Sequence, residues 1–550
     1  MISCKHITKI ISAMMAAAVA FCVWLMGLSQ EAVETLGGVE VPMAYETALF
    51  DTEKIMHVDI QIEEEEWADM LENAMAEEYY SCDVLVNDQK ICNVGIRPKG
   101  NTSLSAIAMN PDTDRYSLKL EFDHYVEGQT CLGLDKLILN NNYADATNMK
   151  EAVVYDMYQY LGADASLYNY AEVSVNGEYI GVYLALEAVE ESFLLRNYGT
   201  GDGKLYKPDG MQMGGGSKGG NFRGKPSGFD EKELAETEKG IGAEHADFPD
   251  GKTPDFAGKM PPGDGDFDFA DGEGRKMPDM GKMPGGSHAM GGGNGANLNY
   301  TDEELSSYSD IWDSEVTDSG KTDHKRVVTA LKNISGGSEL EKYLDVDNIL
   351  KYMAVHAFSV NLDSLSGNMA HNYYLYEYNG MLNILPWDYN LSFGGMNQGS
   401  ESSASEVVND AVDTPFQGTE FFDVLLENET YLSRYHEYLR ELSQEYVLNG
   451  RFEEVYLGIR SRIDMLVETD PTALYSYEEY EAGAEMLYQT VMLRAESVKG
   501  QIDGAIPATD EEQMADVAEL VDASGIDISV MGVMDMGGRE RKSARAAKRQ

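Results

Sequence analysis

Two polar stretches, far apart in the chain, hold the side chains able to do chemistry. The later one is Asn361-Leu-Asp-Ser-Leu-Ser-Gly-Asn368, followed by Leu385-Pro-Trp-Asp-Tyr-Asn390. Asp363 and Asn368 stand five apart, and Asp388 comes 20 residues after Asn368, just past an apolar run. Phosphoryl transfer asks for such a set: one carboxylate orients the attacking hydroxyl, and other groups hold magnesium on the phosphates. The Asp-to-Asn spacing equals that of the protein-kinase catalytic loop. The earlier stretch is Arg97-Pro-Lys-Gly-Asn-Thr-Ser103. A glycine turn with basic and hydroxyl neighbours can cradle phosphate through converging backbone N–H groups. Arg97, Lys99, Asn101 and Ser103 are the candidates there, although the spacing of a Walker loop is missing. Lys119 follows in a strand pattern and Glu151 in a helix pattern, the pairing by which kinases fix nucleotide phosphates. The plainer reading is that such acids cap turns and that the glycine segment is an ordinary turn.

These groups need elements to position them. Alternating runs at Cys82-Asp-Val-Leu-Val-Asn87 and Tyr116-Ser-Leu-Lys-Leu-Glu-Phe122 predict half-buried strands. Asn148 to Leu161 predicts a helix with Asn148 as its N-cap. Ala171 to Leu186 predicts a hairpin turning at Asn176-Gly177. Val346 to Leu362 predicts a helix leading into Asp363, and Asn372–Tyr376 and Leu382–Leu385 predict two strands. Glu420 to Ile502 reads as amphipathic helix, with Tyr435, Leu439, Leu442 and Tyr446 on one stripe. The fold class is therefore α+β, sheet first and mostly helix later.

Composition limits the function. The 550 residues carry 42 Lys+Arg against 95 Asp+Glu, a formal net charge of −53, which argues against general nucleic-acid binding. Lys5 and Lys9 precede an uncharged apolar run from Ile10 to Leu28, read as a signal peptide or a retained membrane anchor within residues 1–30. The positive residues place the remainder outside the cytoplasm. Cys82, Cys92 and Cys131 belong to that exported part, so at most one internal disulfide is expected. Between Asp209 and Asn299 the only Leu, Ile or Val are Leu234, Ile241 and Leu298, so a disordered Gly-, Met- and Pro-rich insertion is expected. Asp264-Gly-Asp-Phe-Asp268 resembles a calcium loop but has Phe269 where a turn glycine is required. Residues 506–550 are expected to form a flexible tail, basic from Arg539 to Arg549.

Taken in order, Arg97–Ser103, Tyr116–Asp123, Leu137–Asp145, Val175–Glu187, Leu205-Tyr-Lys-Pro208, Asn361-Leu-Asp363, His371–Tyr376 and Pro386–Asn390 resemble the CotH family of atypical protein kinases. The resemblance implies a two-lobed kinase-like fold, its halves at 50–208 and 300–505, with ATP, Mg²⁺ or Mn²⁺, and Ser or Thr of secreted, surface or spore-coat proteins as acceptors. It implies Asp363 as catalytic aspartate, Asp388 as metal aspartate, and Lys119 with Glu151 as the phosphate-holding pair. Asn368 or Asn372 would supply a second metal ligand, Glu187 would stand where a hinge meets adenine, and Lys207 would lie near the nucleotide. One departure is Asn390, where many members have a second acid; Asn can still ligate through oxygen. Two rival functions are a non-catalytic surface or coat-assembly protein that keeps the fold, and an extracellular hydrolase using two carboxylates.

Overall fold

The computed structural model describes residues 41–209, 294–367, 370–396, 403–416, 418–515, 517–532 and 534. Strands β1 (Met56–Gln61), β2 (Tyr80–Val86), β3 (Gln89–Lys99), β4 (Ser117–Glu121), β5 (Lys136–Asn140), β6 (Tyr168–Val175) and β7 (Glu178–Glu187) close into a barrel in the order β1-β2-β3-β4-β5-β7-β6. Every pair is antiparallel except β1 with β6, which closes the ring in parallel. The α+β expectation therefore holds and the sheet is mixed. Its closure into a barrel departs from the two-lobed kinase-like body expected, because β1 finds a partner in β6.

Side-chain alternation explains what faces where. Val94 and Ile96 of β3, Leu118 and Leu120 of β4, and Leu137 and Leu139 of β5 share the barrel core. Period two then sends Arg97, Lys99, Lys119, Ile138 and Asn140 to the outer face. Arg97 stands opposite Lys119, and Lys119 opposite Ile138. Ile138 packs into the second, larger core, built mainly from helices, so this outer face is turned toward the helical part. The β6–β7 hairpin turns at Asn176 (φ 52°) and Gly177 (φ 81°), the left-handed pair that a two-residue turn requires.

The helix Lys150–Leu161 starts two residues later than expected. Asn148 is itself left-handed (φ 53°). The capping falls instead to Asp145, whose carboxylate accepts from the amides of Thr147 (2.9 Å) and Lys150 (3.1 Å).

A second sheet, ordered β10-β9-β8, joins β8 (Lys204–Tyr206) to β9 (Tyr373–Tyr378) and β10 (Met381–Pro386). Most of the expected insertion, and the calcium-like loop with it, lies outside the described residues. Its last residues do not fit the expectation: Ala296 and Leu298 are buried, and Tyr373 donates its hydroxyl proton to the Ala296 carbonyl.

The helices of this part include Lys321–Ser335, Val346–Ser359, Glu429–Arg440, a π-helical turn Glu441–Leu448, Arg451–Thr469 and Tyr477–Ile502. Tyr435, Leu439, Leu442 and Tyr446 are all fully buried, as the stripe predicts. Ser476 and Glu479 form a capping box at the start of the longest helix. From that helix the buried Arg494 donates to the carbonyls of Ala357 (2.8 Å), Phe358 (3.2 Å), Val408 (3.2 Å) and Asp410 (2.6 Å). Two of these are carbonyls that the end of the Val346–Ser359 helix leaves without helical partners.

The tail expectation also needs correction. Ala523, Ile526, Ile528, Met531 and Met534 are buried against the domain. Gly483 has no side chain and lets the Val530 carbonyl approach the longest helix. The basic residues 539–549, the N-terminal apolar run, Cys4 and Cys22 lie outside the described residues. Cys82, Cys92 and Cys131 are all free thiols, the first and last buried. Among the described residues no helix is long and apolar enough to cross a membrane.

Candidate active site

Asp363 sits just past the helix Val346–Ser359, which ends at the left-handed Val360 (φ 49°). Its carboxylate is buried and held from two sides. His371 Nε2 lies 2.6 Å from Oδ1, and Asn372 Nδ2 donates to Oδ2 at 3.0 Å and to the backbone carbonyl at 2.8 Å. Burial alone would lower the His371 pKa, but the hydrogen bond and charge of Asp363 outweigh it and leave the value raised. Asn361 Oδ1 accepts from the Asp363 amide at 3.2 Å.

Asp388 follows β10 with φ 63°, and Asn372 precedes β9 with φ 55°. Left-handed backbone at non-glycine residues costs energy and clusters at working sites. The Asp388 pKa is raised by desolvation and by the Asp363 charge; Lys99, Lys207 and His371 oppose that rise. The two aspartates therefore share one electrostatic neighbourhood with two lysines. Lys207 is held within 5.4 Å of the Tyr374 ring and 5.5 Å of the Trp387 ring. Burial and the charge of Lys99 push it down to about 8. Lys99 is likewise lowered by burial, against the pull of Asp388 and Glu151, and lies 5.5 Å from the Trp387 ring.

The Lys–Glu pairing differs from expectation. Lys119 Nζ binds Glu190 Oε1 at 2.7 Å, and Lys136 holds the other oxygen. The two lysines overcome burial and bring the Glu190 carboxyl down to about 2. Lys99 is the lysine that reaches Glu151, through Asn140: Lys99 Nζ donates to Asn140 Oδ1 at 2.9 Å, and Asn140 Nδ2 donates to Glu151 Oε2 at 2.8 Å. The reason is register. Asn140 ends β5 on the same outer face as Lys99, whereas Lys119 stands opposite Ile138, two residues further from that end. Burial, then the Asp388 charge, pushes the Glu151 carboxyl up to about 8.

The remaining candidates scatter. Arg97 pairs with Glu77 and stacks 5.3 Å from the Tyr79 ring, so its charge is already engaged. Asn101 and Ser103 open the short helix Thr102–Ala108 after Gly100 (φ 130°), and Asn101 is exposed. Glu187 is fully buried, paired with Arg196 at 2.5 Å and accepting from Tyr45 at 2.6 Å. Its own amide donates to Leu167, so this residue does not face an open adenine site. Asn390 Nδ2 donates to the Tyr143 carbonyl at 3.0 Å. Asn368 lies outside the described residues.

Asn140, Asn361, His371, Trp387 and Glu190 were not singled out from sequence. His371 and Asn361 flank candidates directly, so they were within reach; Asn140 needed the strand register, and Glu190 had no local signal.

Magnesium and manganese prefer hard oxygen donors. Asp388, Glu151 and the asparagine carboxamides are of that kind, and the two carboxyls are desolvated and repel one another, which a bound cation would relieve. Among the described residues no three His, Cys, Asp or Glu form a ready cage. Magnesium usually takes one or two carboxylates and completes its shell with water and substrate phosphates, so the arrangement is compatible with it.

A family model described as CotH kinase protein matches residues 96–247 and 278–498, more than half of the chain. This chain belongs to the CotH kinase protein family. It is also similar to the inner spore coat protein H of Bacillus subtilis (strain 168), 24% identical over 168 residues. That match covers 30% of this chain and 43% of the relative's length. Lys99, Glu151, Lys207, Asp363 and Asp388 all fall inside the ranges matched by the CotH model; the buried Ile528, Met531 and Met534 fall outside them.

Proposed function

We propose that this protein is an ATP-dependent protein kinase acting on Ser or Thr of exported, surface or spore-coat proteins. The observation that carries this reading is the gathering of Asp363 and Asp388 with Lys99 and Lys207 in one electrostatic cluster. In the reaction the γ-phosphorus forms a bond to the acceptor hydroxyl oxygen and its bond to the bridging oxygen breaks, leaving ADP. Asp363, held by His371 and Asn372, takes the hydroxyl proton. Lys99 and Lys207 bind phosphate oxygens, and Asp388 with Glu151 and an asparagine oxygen would hold Mg²⁺ or Mn²⁺. The metal, when bound, neutralises charge on the transferring phosphoryl group. Location outside the cytoplasm rests on the N-terminal apolar run, and the spore-coat connection on the name of the similar protein.

A second reading, a non-catalytic assembly protein, draws on Asn390, which stands where many family members carry an acid and which ties to Tyr143. One experiment separates the two. Purified protein is incubated with γ-labelled ATP, Mn²⁺ and a Ser-rich protein acceptor, beside the variant Asp363→Asn. Label transfer that the variant loses supports the kinase; binding of neither Mn²⁺ nor ATP by the wild type leaves the assembly reading.

A further inference from the structure

Lys150 is fully buried beside Glu151, yet the site as described does not use its amine. Burial lowers its pKa against the pull of Asp145. Its Nζ donates to the carbonyl of Gly532 at 3.2 Å, a residue 382 positions away and beyond the family match.

That contact belongs to a set. The Ala146 amide donates to the Met531 carbonyl at 3.0 Å, and the Met534 amide donates to the Gly395 carbonyl at 3.2 Å. Met534 is buried in a small cluster with Ala144 and Leu391, bordered by Tyr143 and Met396. Gly532 has φ 86°, and a Cβ there would stand 2.7 Å from both the Ala144 oxygen and the Ala146 nitrogen, so the fit is shaped for glycine. The segment thus touches two places at once: the loop and first turn leading into Glu151, and the loop following Asp388.

We infer that residues 528–532 and Met534 form a strap that holds the Glu151 and Asp388 loops in register, with Lys150 as its positioning residue, and so sets the metal-nucleotide affinity of the site. A buried amine binds best where a carbonyl is fixed for it, and a carbonyl from a distant segment makes that fixing conditional on the strap being seated. The two loops are also joined directly, by Asn390 Nδ2 to the Tyr143 carbonyl at 3.0 Å and by the Tyr389 amide to Glu151 Oε1 at 3.4 Å. The strap adds backbone bonds to each loop and fills the apolar gap between them. The effect on nucleotide affinity rests on the proposed function; the seating of the strap does not.

The test is a truncation after Asp527, compared with the full chain and with a truncation after Gly538 that keeps the strap. Amide hydrogen exchange is followed in residues 141–151 and 388–396, and Mn²⁺·ATP binding by calorimetry. Removing the strap is expected to speed exchange in both loops and to weaken Mn²⁺·ATP by roughly 10–100-fold, the usual cost of losing groups that orient a metal site. A peptide of residues 526–536, added at about the millimolar effective concentration of a tethered segment, should restore both. Gly532→Ala should mimic the truncation, and Lys150→Met should weaken binding with a smaller change in exchange. Unchanged exchange in either loop, or unchanged affinity in the strapless protein, overturns the inference. If the full chain itself binds no Mn²⁺·ATP, the kinase reading is what fails, and the exchange comparison alone decides the strap.

Discussion

Asn361 donates its side-chain Nδ2 proton to the backbone carbonyl of Asp388 at 3.2 Å. The same side chain accepts from the Asp363 amide, so one buried carboxamide spaces the two aspartates. Beneath it, Ser364 and Ser366 donate to the Asn361 carbonyl at 2.8 Å and 3.2 Å, and His356 links Ser366 (2.6 Å) to Tyr389 (3.1 Å). Burial lowers the His356 pKa to about 3, so it serves as a neutral bridge between the loops.

Replacing Asn361 with Asp should therefore damage both loops at once. A carboxylate oxygen would face the Asp388 carbonyl in place of a donor. We expect a stability loss of about 1–3 kcal/mol, the cost of a buried unsatisfied group. Denaturant unfolding measures it, and phosphate incorporation should fall by more than the unfolded fraction explains.

Asp388→Asn keeps a residue tolerant of left-handed backbone and removes the charge. Mn²⁺-dependent nucleotide binding should disappear while the ligand-free melting temperature holds or rises, because the lost carboxylate was desolvated and repelled by Asp363. Calorimetry and thermal melting check the two halves; retained Mn²⁺·ATP affinity refutes the assignment of Asp388 to the metal.

The lysines should separate by consequence. Lys99→Met is expected to weaken nucleotide binding by about 2 kcal/mol, on the order of 30-fold. Lys119→Met should cost less, since Lys136 still neutralises Glu190. Equal losses in a titration with ATP and Mn²⁺ would restore Lys119 as the phosphate lysine.

Glu151 supplies a pH prediction. Its carboxyl, ordinarily near 4.5, sits at about 8, so near pH 7 it is mostly protonated. A cation favours the carboxylate, so Mn²⁺·ATP binding should release a proton and tighten as pH rises from about 6 to 8, by up to roughly tenfold per unit. For folding the sign is opposite. The raised value gives stability below about 4.5 that is lost as pH rises through about 8. Lys207, lowered to about 8, contributes the reverse, stability present above its ordinary 10.5 and lost as pH falls through 8. Comparing melting temperatures of the wild type and Glu151→Gln isolates the first effect: the variant's advantage should widen from pH 5 to pH 8.

Legibility in the sequence followed the range of the interactions. Alternation located β2 and β4, short apolar runs located β9 and β10, and Asn176-Gly177 located the hairpin, because these are set by neighbours in the chain. The pairing of Lys119 with Glu190 was not legible, since it depends on which strands end together across the sheet. Asn148 stands next to the helix in sequence, but Asp145, reaching over Thr147, does the capping. The segment from Ile526 to Met534 carries apolar residues, but only the folded core, which takes Ile526, Ile528 and Met531, and the small cluster of Ala144 and Leu391, which takes Met534, give them somewhere to go.

Closure of the barrel has a mechanical consequence. An open sheet can bend strand by strand, and its free edges can recruit a strand from another molecule. A ring of seven hydrogen-bonded strands offers neither freedom. Lys99, Lys119 and Asn140 must travel together, as points on one stiff hoop, so any tightening around a bound ligand has to be a tilt of the whole hoop on its connections, with the Lys99–Asn140–Glu151 chain as the link that registers the tilt.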